Sequence, residues 1–288
     1  MIKKVYIIAE VGSVHDGSLG NALKLVSLAK KLGANAIKFQ THISEYETLF
    51  NAPNPNHFKD ESRYKYFKRT AFSFKQYKKI VSAAKKNNID LISSPFSIEA
   101  VEFLEKLKFT KYKVASGEVT NIPLLEKLKK TNKKIFLSTG MSNIKEINEA
   151  VKVLNKSKLT IMQCTSLYPC DLSRVGINNI SIFKKKFKCE VGFSDHTTTN
   201  EASIIAVHEG ATVIEKHLTF SKEMYGSDAK FAMEPDNFKN FCVSIRNAEK
   251  LVNYPTNKNN LSKDILKIKK IYQKSIVLNK NLKKNKII

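Results

Sequence analysis

The hydrophobic and polar positions of the 288-residue chain alternate between two kinds of segment. Short runs rich in β-branched residues predict strands, and longer runs with apolar residues at i, i+3 and i+4 predict amphipathic helices. Eight strands are predicted, at 5–11, 36–41, 90–96, 111–116, 134–139, 159–165, 189–194 and 212–218. Helical periodicity is clearest at 19–33, 72–86 and 144–156. Eight alternating units with near-continuous apolar strands predict an α/β fold, a closed (β/α)8 TIM barrel.

An open doubly wound sheet is the alternative fold, but no GxGxxG motif follows the first predicted strand. Residues 42–71, called the insertion below, separate the second strand from its helix and contain the turn-rich run NAPNPN. A connection of this length in a compact domain is more often a lid or binding loop than a structureless segment. We therefore expect the insertion at the mouth of the barrel.

The composition favours a cytoplasmic protein. No run of about 18 apolar residues could form a membrane span, and the segment MIKKVYIIAEVG is too short for a signal peptide. The four cysteines show no CxxC spacing, so neither a zinc knuckle nor a disulfide framework is indicated. We expect reduced thiols.

The net charge of +24 invites a nucleic-acid interpretation. The basic residues are nearly all lysines, however, and arginine is the residue that reads guanine edges and stacks on bases. Paired lysines on predicted helix faces are typical of solvated surfaces. The positive field instead favours a small anionic substrate such as a phosphate ester, with no nucleic-acid or membrane partner.

Polar side chains occur at or just after nearly every predicted strand end, where the active sites of such barrels lie. They include Glu10, Lys38, Gln40, Ser94, Lys113, Ser116, Glu118, Ser138, Ser166, Tyr168, Ser194, His196, Glu215 and His217. Taken singly, a lysine can extend to the rim, a serine can cap a helix and a histidine can be structural. Together, two lysines with several hydroxyls suit a phosphate or carboxylate group.

The two histidines close neighbouring predicted strands, so His196 and His217 are placed to share one divalent metal. Two imidazoles, with water and substrate oxygens completing the shell, suit Mn²⁺ best, with Mg²⁺ or Co²⁺ as alternatives, rather than a closed zinc site. Such an ion would polarise a carbonyl. Glu215 lies on the same strand face as His217, where it could hold a substrate hydroxyl or move a proton.

The ordered motifs IAEVG, KFQTH, SSPFS, KVASGE, STGMS, QCTSLYP, GFSDHT, IEKHLT and MEPDNF cover most of the chain. With these motifs the chain resembles the sialic acid synthases, the N-acetylneuraminate synthase family. The resemblance implies condensation of phosphoenolpyruvate with N-acetylmannosamine, which releases phosphate and gives N-acetylneuraminate. Legionaminate and pseudaminate synthases share the same phosphate-binding and metal-binding residues, so the aminosugar stays open.

The resemblance also implies roles for individual residues. His196 and His217 become the metal ligands, and Glu10, Glu118 and Glu215 the catalytic carboxylates, with Glu118 positioning a water. Phosphoenolpyruvate is expected at Lys38, Ser94, Lys113, Ser116, Ser138 and Ser194. The aminosugar is expected at Glu10, Tyr168, Glu215 and Asp228, with Gln40 and Ser166 as further substrate-binding residues. The motifs VHDG, QCTS and GSDA depart from common family patterns, so the phosphoenolpyruvate half is better supported than the sugar half.

Residues 1–255 are expected to form the barrel, and residues 256–288 a linker with the start of an incomplete antifreeze-like domain. In the family that domain reaches over the partner's active site in a swapped homodimer and supplies an arginine. A homodimer is therefore expected here, although no arginine follows Arg246.

Three rival functions stay open at this point. A Schiff-base aldolase would use Lys113 or Lys216 as its nucleophile. A sugar-phosphate synthase of the aromatic-pathway type would prefer a phosphorylated sugar. A basic binding module for nucleic acid or another acidic surface would show steeply salt-dependent binding and no phosphate release.

Overall fold

Eight parallel strands close into a barrel in sequence order, so the predicted (β/α)8 TIM barrel is confirmed. The computed structural model describes residues 4–54, 61–226 and 228–285. The strands are β1 (Tyr6–Gly12), β2 (Ala36–Thr41), β3 (Asp90–Pro95), β4 (Lys111–Val114), β5 (Lys134–Ser138), β6 (Leu159–Cys164), β7 (Glu190–Asp195) and β8 (Val213–His217). They match the predicted strands to within two residues at each end.

Several of the helices that follow the strands begin at side-chain caps. Ser73 and Gln76 form a capping box at the start of α4, and Asn143 and Glu146 form another at the start of α7. The helices of the barrel unit are α1 (Leu19–Leu32), α2 (Ser44–Glu47), α3 (Arg63–Thr70), α4 (Phe74–Lys86), α5 (Ile98–Lys106), α6 (Ile122–Lys130), α7 (Ile144–Val153), α8 (Asn179–Phe187), α9 (Glu201–His208) and α10 (Pro235–Asn253).

The apolar core has two parts. The larger part lies between the outer faces of the strands and the helices, because each helix buries its apolar stripe there. The smaller part fills the barrel interior with one layer of side chains: Ile8, Ala36, Ile92, Phe136, Met162 and Val213. This inner layer fills the barrel below the end where the strands finish, which is the end at which the active sites of such barrels lie.

The insertion contains two short helices, α2 and α3, and residues 55–60 within it lie outside the described residues. Four side chains of its described part, His42, Glu47, Arg63 and Phe67, line the cavity described below. The prediction that the insertion lies at the mouth of the barrel is therefore confirmed for these residues.

The chain divides into two units, Met1–Asn253 and Tyr254–Ile288. The second unit contains α11 (Lys263–Tyr272), which Ser262 caps. Its interpretation as part of an antifreeze-like domain stays a prediction. Among the helices that the described residues form, none is long and apolar enough to cross a bilayer.

Candidate active site

A cavity of about 650 Å³ opens at the carboxyl ends of the strands. Every residue that the sequence predicts for the site lines this one cavity: Glu10, Lys38, Gln40, Ser94, Lys113, Ser116, Glu118, Ser138, Ser166, Tyr168, Ser194, His196, Glu215, His217 and Asp228. The structure thus brings these residues together around one cavity. Their chemical roles are a separate question, which depends on the contacts between them.

The cavity floor follows from the strand period of two. Each residue of the inner apolar layer stands two positions before a cavity residue on the same strand face. The pairs are Ile8 with Glu10, Ala36 with Lys38, Ile92 with Ser94, Phe136 with Ser138, Met162 with Cys164 and Val213 with Glu215. A polar layer therefore rests directly on an apolar one, and the cavity ends where the apolar layer begins.

Two lysines and two glutamates form a buried charge network on this floor. Lys38 Nζ lies 2.7 Å from Glu10 Oε2 and 3.9 Å from Glu215 Oε1. Lys113 Nζ donates to Glu215 Oε1 at 2.6 Å, and Ser194 Oγ donates to the same oxygen at 3.0 Å. All of these charged side chains are at most 5% exposed, so each charge depends on its partners rather than on water.

The network separates the pKa values of its two carboxyl groups. Burial raises the pKa of Glu10 more than the nearby Lys38 ammonium lowers it. Burial would also raise the pKa of Glu215, but the Lys113 and Lys38 ammoniums together lower that pKa to about 2. Glu215 is thus ionised at neutral pH, and Glu10 holds a proton more readily. Two carboxyl groups with separated pKa values are typical of an acid and a base in one site.

The two predicted metal ligands lie side by side, with ring centroids 5.6 Å apart. His196 Nδ1 donates to the Thr165 carbonyl oxygen at 2.9 Å, because a carbonyl can only accept. When this ring is neutral, its lone pair is therefore on Nε2, where the Tyr168 hydroxyl lies 3.1 Å away. Burial lowers the pKa of His217 to about 4, so its imidazole is neutral at pH 7.

These observations fit a shared divalent ion. His217 Nδ1 and Glu215 Oε2 are buried and have no hydrogen-bond partner among the described residues. A buried neutral imidazole nitrogen without a partner is a suitable metal ligand. No group of three or more histidine, cysteine or acidic residues with metal-binding geometry occurs within 4–54, 61–226 and 228–285. Two imidazoles would be the protein ligands of such an ion, which would leave coordination positions for water and substrate.

Cys164 adds a thiol beside the histidines. Its Sγ lies 3.8 Å from His196 Nδ1 and 3.8 Å from Ser116 Oγ. Burial is the largest single effect and raises the pKa of this thiol, but His196, Lys113 and Ser116 together lower the pKa to about 7. The thiol is therefore partly ionised at neutral pH.

Gly140 leaves room for the hydroxyl groups of two serines. A Cβ atom at this position would lie 2.3 Å from Ser166 Oγ and 2.9 Å from Ser116 Oγ. The Gly140 amide also donates to Ser116 Oγ at 3.1 Å. A side chain here would therefore fill the space between the two serines, so glycine keeps this part of the cavity open to a ligand.

Asp228 is held at the opposite rim. Its Oδ2 accepts hydrogen bonds from the Ser13 amide at 3.0 Å and the Ser13 hydroxyl at 3.2 Å. Gly12 has φ +47°, and a Cβ atom there would lie 2.1 Å from Asp228 Oδ2. Only glycine can occupy this backbone position and leave room for the carboxylate.

Several cavity residues were not predicted from the sequence. Among them are His42, Glu47, Arg63, Phe67, Phe96, Met141 and Cys164. The His42 ring stacks between Phe67 and Phe96, with centroid distances of 3.6 and 4.1 Å. His42 and Cys164 stand at strand ends, so the rule that identified their neighbours could have found them. Arg63 and Phe67 lie on α3 in the insertion, where no periodic signal marks a cavity-facing side chain.

Not every polar residue at a strand end faces the cavity. Ser93 is buried outside the cavity, where Thr41 Oγ1 lies 2.6 Å from its hydroxyl. Among the described residues that line the cavity, Lys216 is absent, because its ammonium pairs with Asp195 at 3.0 Å. Of the two lysines considered for a Schiff base, only Lys113 thus reaches the site.

Comparisons with known proteins agree on one family. The sequence model of the NeuB family matches residues 25–257. N,N'-diacetyllegionaminic acid synthase of Campylobacter jejuni is 39% identical over 99% of this chain and 88% of its own length. Pseudaminic acid synthase of the same species is 33% identical over 99% of this chain and 84% of its own length. The crystal structure of N-acetylneuraminic acid (sialic acid) synthetase from Leptospira borgpetersenii has TM-score 0.81 and 27% identity, covering 95% of this chain and 94% of that one.

Proposed function

Because the chain belongs to the NeuB family, we propose that it condenses phosphoenolpyruvate with an N-acetylated aminosugar, releases phosphate and forms a nonulosonic acid. N-acetylmannosamine is the acceptor expected from the sequence, with N-acetylneuraminate as the product. The 39% identity to a legionaminic acid synthase favours the precursor of that diacetylated sugar acid as the alternative acceptor. A cytoplasmic homodimer stays part of the proposal.

The observation that carries the proposal is the juxtaposition of Lys38 and Lys113 with the two histidines. Both ammonium groups lie on the cavity floor, and His196 and His217 lie at the ends of the neighbouring strands β7 and β8. An anionic donor and a carbonyl acceptor can therefore bind side by side. Proximity of this kind removes much of the entropic barrier to a bimolecular step.

Phosphoenolpyruvate is expected to bind where the lysines meet the serine hydroxyls. Lys38 Nζ already donates to Ser94 Oγ at 3.3 Å, and Ser116, Ser138 and Ser194 complete the group of hydroxyls around the floor. The phosphate and carboxylate of the ligand would replace part of the Glu10 and Glu215 contacts to the ammonium groups. Charge-assisted bonds to a buried anion are among the strongest that a protein can offer.

The aminosugar is expected above this floor, against Tyr168, Asp228, Glu10 and Glu215. His196 and His217 would hold a divalent ion, of which Mn²⁺ is the first choice and Mg²⁺ or Co²⁺ the alternatives. When bound, that ion supplies Lewis-acid polarisation of the open-chain sugar aldehyde. Tyr168 lies against both imidazoles, with its ring centroid 4.1 Å from His196 and 5.9 Å from His217, so it can orient the sugar beside them.

The bond changes require one proton donor and one water. Carbon 3 of phosphoenolpyruvate attacks the aldehyde carbon, and the new alkoxide takes a proton, for which Glu10 with its raised pKa is suited. Water then adds at the cationic carbon 2, and phosphate leaves as the carbon–oxygen bond to it breaks, taking the proton of the new hydroxyl so that the ketone forms. Glu118 lines the cavity and its pKa is raised by burial, so it can accept the proton of that water. Glu215 stays ionised and holds Lys113 and the substrate hydroxyls.

Oxygen-18 labelling tests this chemistry. In H₂¹⁸O, water that adds at carbon 2 labels the sugar acid, and the released phosphate keeps its bridging oxygen. We expect unlabelled phosphate by mass spectrometry. Labelled phosphate would mean attack at phosphorus, which contradicts the proposal. Borohydride added during turnover distinguishes the proposed reaction from that of a Schiff-base aldolase. A covalent adduct at Lys113 would support the aldolase.

A further inference from the structure

A second buried charge pair lies outside the cavity, directly beside the two histidines in sequence. Asp195 and Lys216 are register partners on β7 and β8, and Lys216 Nζ lies 3.0 Å from Asp195 Oδ2. Their side chains are 0% and 2% exposed. Because side chains alternate along a strand, Ser194 and Glu215 face the cavity while this pair faces the helices. The reaction proposed above makes no use of it.

The pair holds the backbone that follows His196. The Thr197 amide donates to Asp195 Oδ1 at 2.8 Å. Lys216 Nζ donates to the Thr197 carbonyl at 2.6 Å and to the Thr199 carbonyl at 3.1 Å. His196 stands between Asp195 and Thr197, so the backbone on both sides of this histidine is fixed by the pair. His217 follows Lys216 directly, so one ion pair connects the backbones of both predicted ligands.

Two helices hold the pair in place. Ser203 Oγ on α9 donates to Asp195 Oδ2 at 2.6 Å. The Phe241 ring on α10 lies 5.9 Å from Lys216 Nζ. Every charge of the pair is therefore satisfied, and its geometry is set by two helices and two strands. A buried ion pair adds little net stability compared with an apolar pair of the same volume. This pair is better explained by the geometry that it imposes.

Resting on the proposed function, we propose that Lys216 and Asp195 are positioning residues that set the separation and orientation of His196 and His217 for one shared divalent ion. The cause is the backbone contact to residues 197 and 199, not a contact to the ion. Outer residues that orient metal ligands typically change metal affinity by about 10- to 100-fold. An effect of this size is expected here.

The test uses Lys216→Met, Asp195→Asn, the double variant and Lys216→Arg in the full chain. Mn²⁺ affinity is measured by electron paramagnetic resonance without substrate. We expect both single variants to weaken binding by about 10- to 100-fold. The double variant should lose no more Mn²⁺ affinity than the single variant that binds Mn²⁺ more weakly, because the two residues act as a unit. Lys216→Arg keeps the positive charge in a different shape and should retain more of the affinity than Lys216→Met.

Two controls distinguish the positioning role from a purely structural role of the ion pair. Lys111→Met removes another ion pair between neighbouring strands, in which Lys111 Nζ lies 2.8 Å from Asp90 Oδ2 at the opposite end of the barrel. It should leave Mn²⁺ affinity unchanged. Phosphoenolpyruvate affinity, measured by calorimetry without metal, should be unchanged in every variant. If Lys216→Met does not fold, the double variant, which buries no unpaired charge, provides the same comparison.

Wild-type Mn²⁺ affinity in folded Lys216→Met and in the double variant would overturn the positioning role. If the wild-type protein binds no Mn²⁺, the metal part of the proposed function fails by itself. Crystal structures of the folded variants then decide the positioning role without metal. We expect the 196–199 loop to be displaced relative to His217, and an unchanged loop would refute the inference.

Discussion

Lys113 Nζ lies 2.6 Å from Glu215 Oε1, although β4 and β8 stand on opposite sides of the barrel. This contact spans the cavity floor, so both charges are neutralised there before a substrate binds. An anionic ligand must therefore exchange places with a carboxylate rather than enter an empty positive site. The affinity for phosphoenolpyruvate therefore depends on how well the contacts of the ligand with Lys113 replace the ion pair between Lys113 and Glu215.

Replacing Lys113 or Lys38 by alanine should weaken phosphoenolpyruvate binding at least about tenfold. Truncation of one partner of a desolvated charge pair typically costs about 2–5 kcal/mol. Isothermal calorimetry measures the change. Lys111→Ala is the matched control, since this lysine starts the same strand and pairs with Asp90 away from the cavity. Equal dissociation constants for all four proteins would place the anion site elsewhere.

Removal of the metal should abolish turnover. EDTA is expected to stop phosphate release, and Mn²⁺ to restore it. His196→Ala and His217→Ala should each lose metal-dependent turnover, because two imidazoles leave no spare protein ligand among the described residues. His208→Ala, on the exposed face of α9, controls for loss of a histidine as such. Full activity in either cavity variant would be incompatible with a shared ion.

Arg63→Met should raise the KM for the aminosugar while phosphoenolpyruvate affinity stays constant. Arg63 lines the cavity from the insertion and donates to Thr48 Oγ1 at 2.6 Å, which leaves other guanidinium donors for a ligand. Loss of one charged hydrogen bond to a sugar corresponds to about tenfold in affinity. Steady-state kinetics with each substrate varied in turn measures the effect.

Arg69→Met is the control for that experiment, because Arg69 on the same helix pairs with Glu61 and Asp16 instead. A higher KM for phosphoenolpyruvate alone in Arg63→Met would assign this arginine to the other substrate.

Acid should destabilise the protein through His15. This residue is 4% exposed, its Nδ1 accepts from the Gly17 amide at 3.1 Å, and burial lowers its pKa from 6.5 to about 4. Between pH 6.5 and 4 the unfolded chain binds a proton that the folded protein does not. The free energy of unfolding should therefore fall as pH falls through this window, by roughly 3 kcal/mol from this group.

Urea unfolding at pH 7 and at pH 4 measures that loss. His15→Asn should reduce this loss of unfolding free energy by most of the His15 contribution. His208→Gln should leave the loss unchanged, because His208 is exposed. An identical loss in wild type and His15→Asn would show that the imidazole is not held neutral.

The fold and the site were predictable from the sequence for a simple physical reason. Parallel strands bring their carboxyl ends to one rim, so polar residues such as Lys38, Lys113 and Glu215 had to meet once eight strands were recognised. The strand ends were less well predicted. The strand predicted at 111–116 ends at Val114, because Ser116 begins a 3₁₀ turn.

The charge partners could not be predicted, because they depend on three-dimensional closure. Lys113 and Glu215 are 102 positions apart in sequence, and nothing local pairs them. The insertion was recognised as a mouth segment, but the stacking of Phe67 on His42 required the position of α3. Lys216 was considered, together with Lys113, as the nucleophile of a Schiff-base aldolase. The Lys216 side chain points away from the cavity because side chains alternate along a strand. This rule could have been applied from the sequence alone.

Phosphate release from phosphoenolpyruvate tests the central claim most directly. The protein is incubated with phosphoenolpyruvate and, in parallel, with N-acetylmannosamine or with the precursor of legionaminic or pseudaminic acid, each with and without Mn²⁺. The account predicts phosphate release that requires Mn²⁺ and one of these sugars, with a nonulosonic acid formed in equal amount. Phosphate release that needs no sugar, or none with any of the three sugars in Mn²⁺ from folded protein, would contradict it.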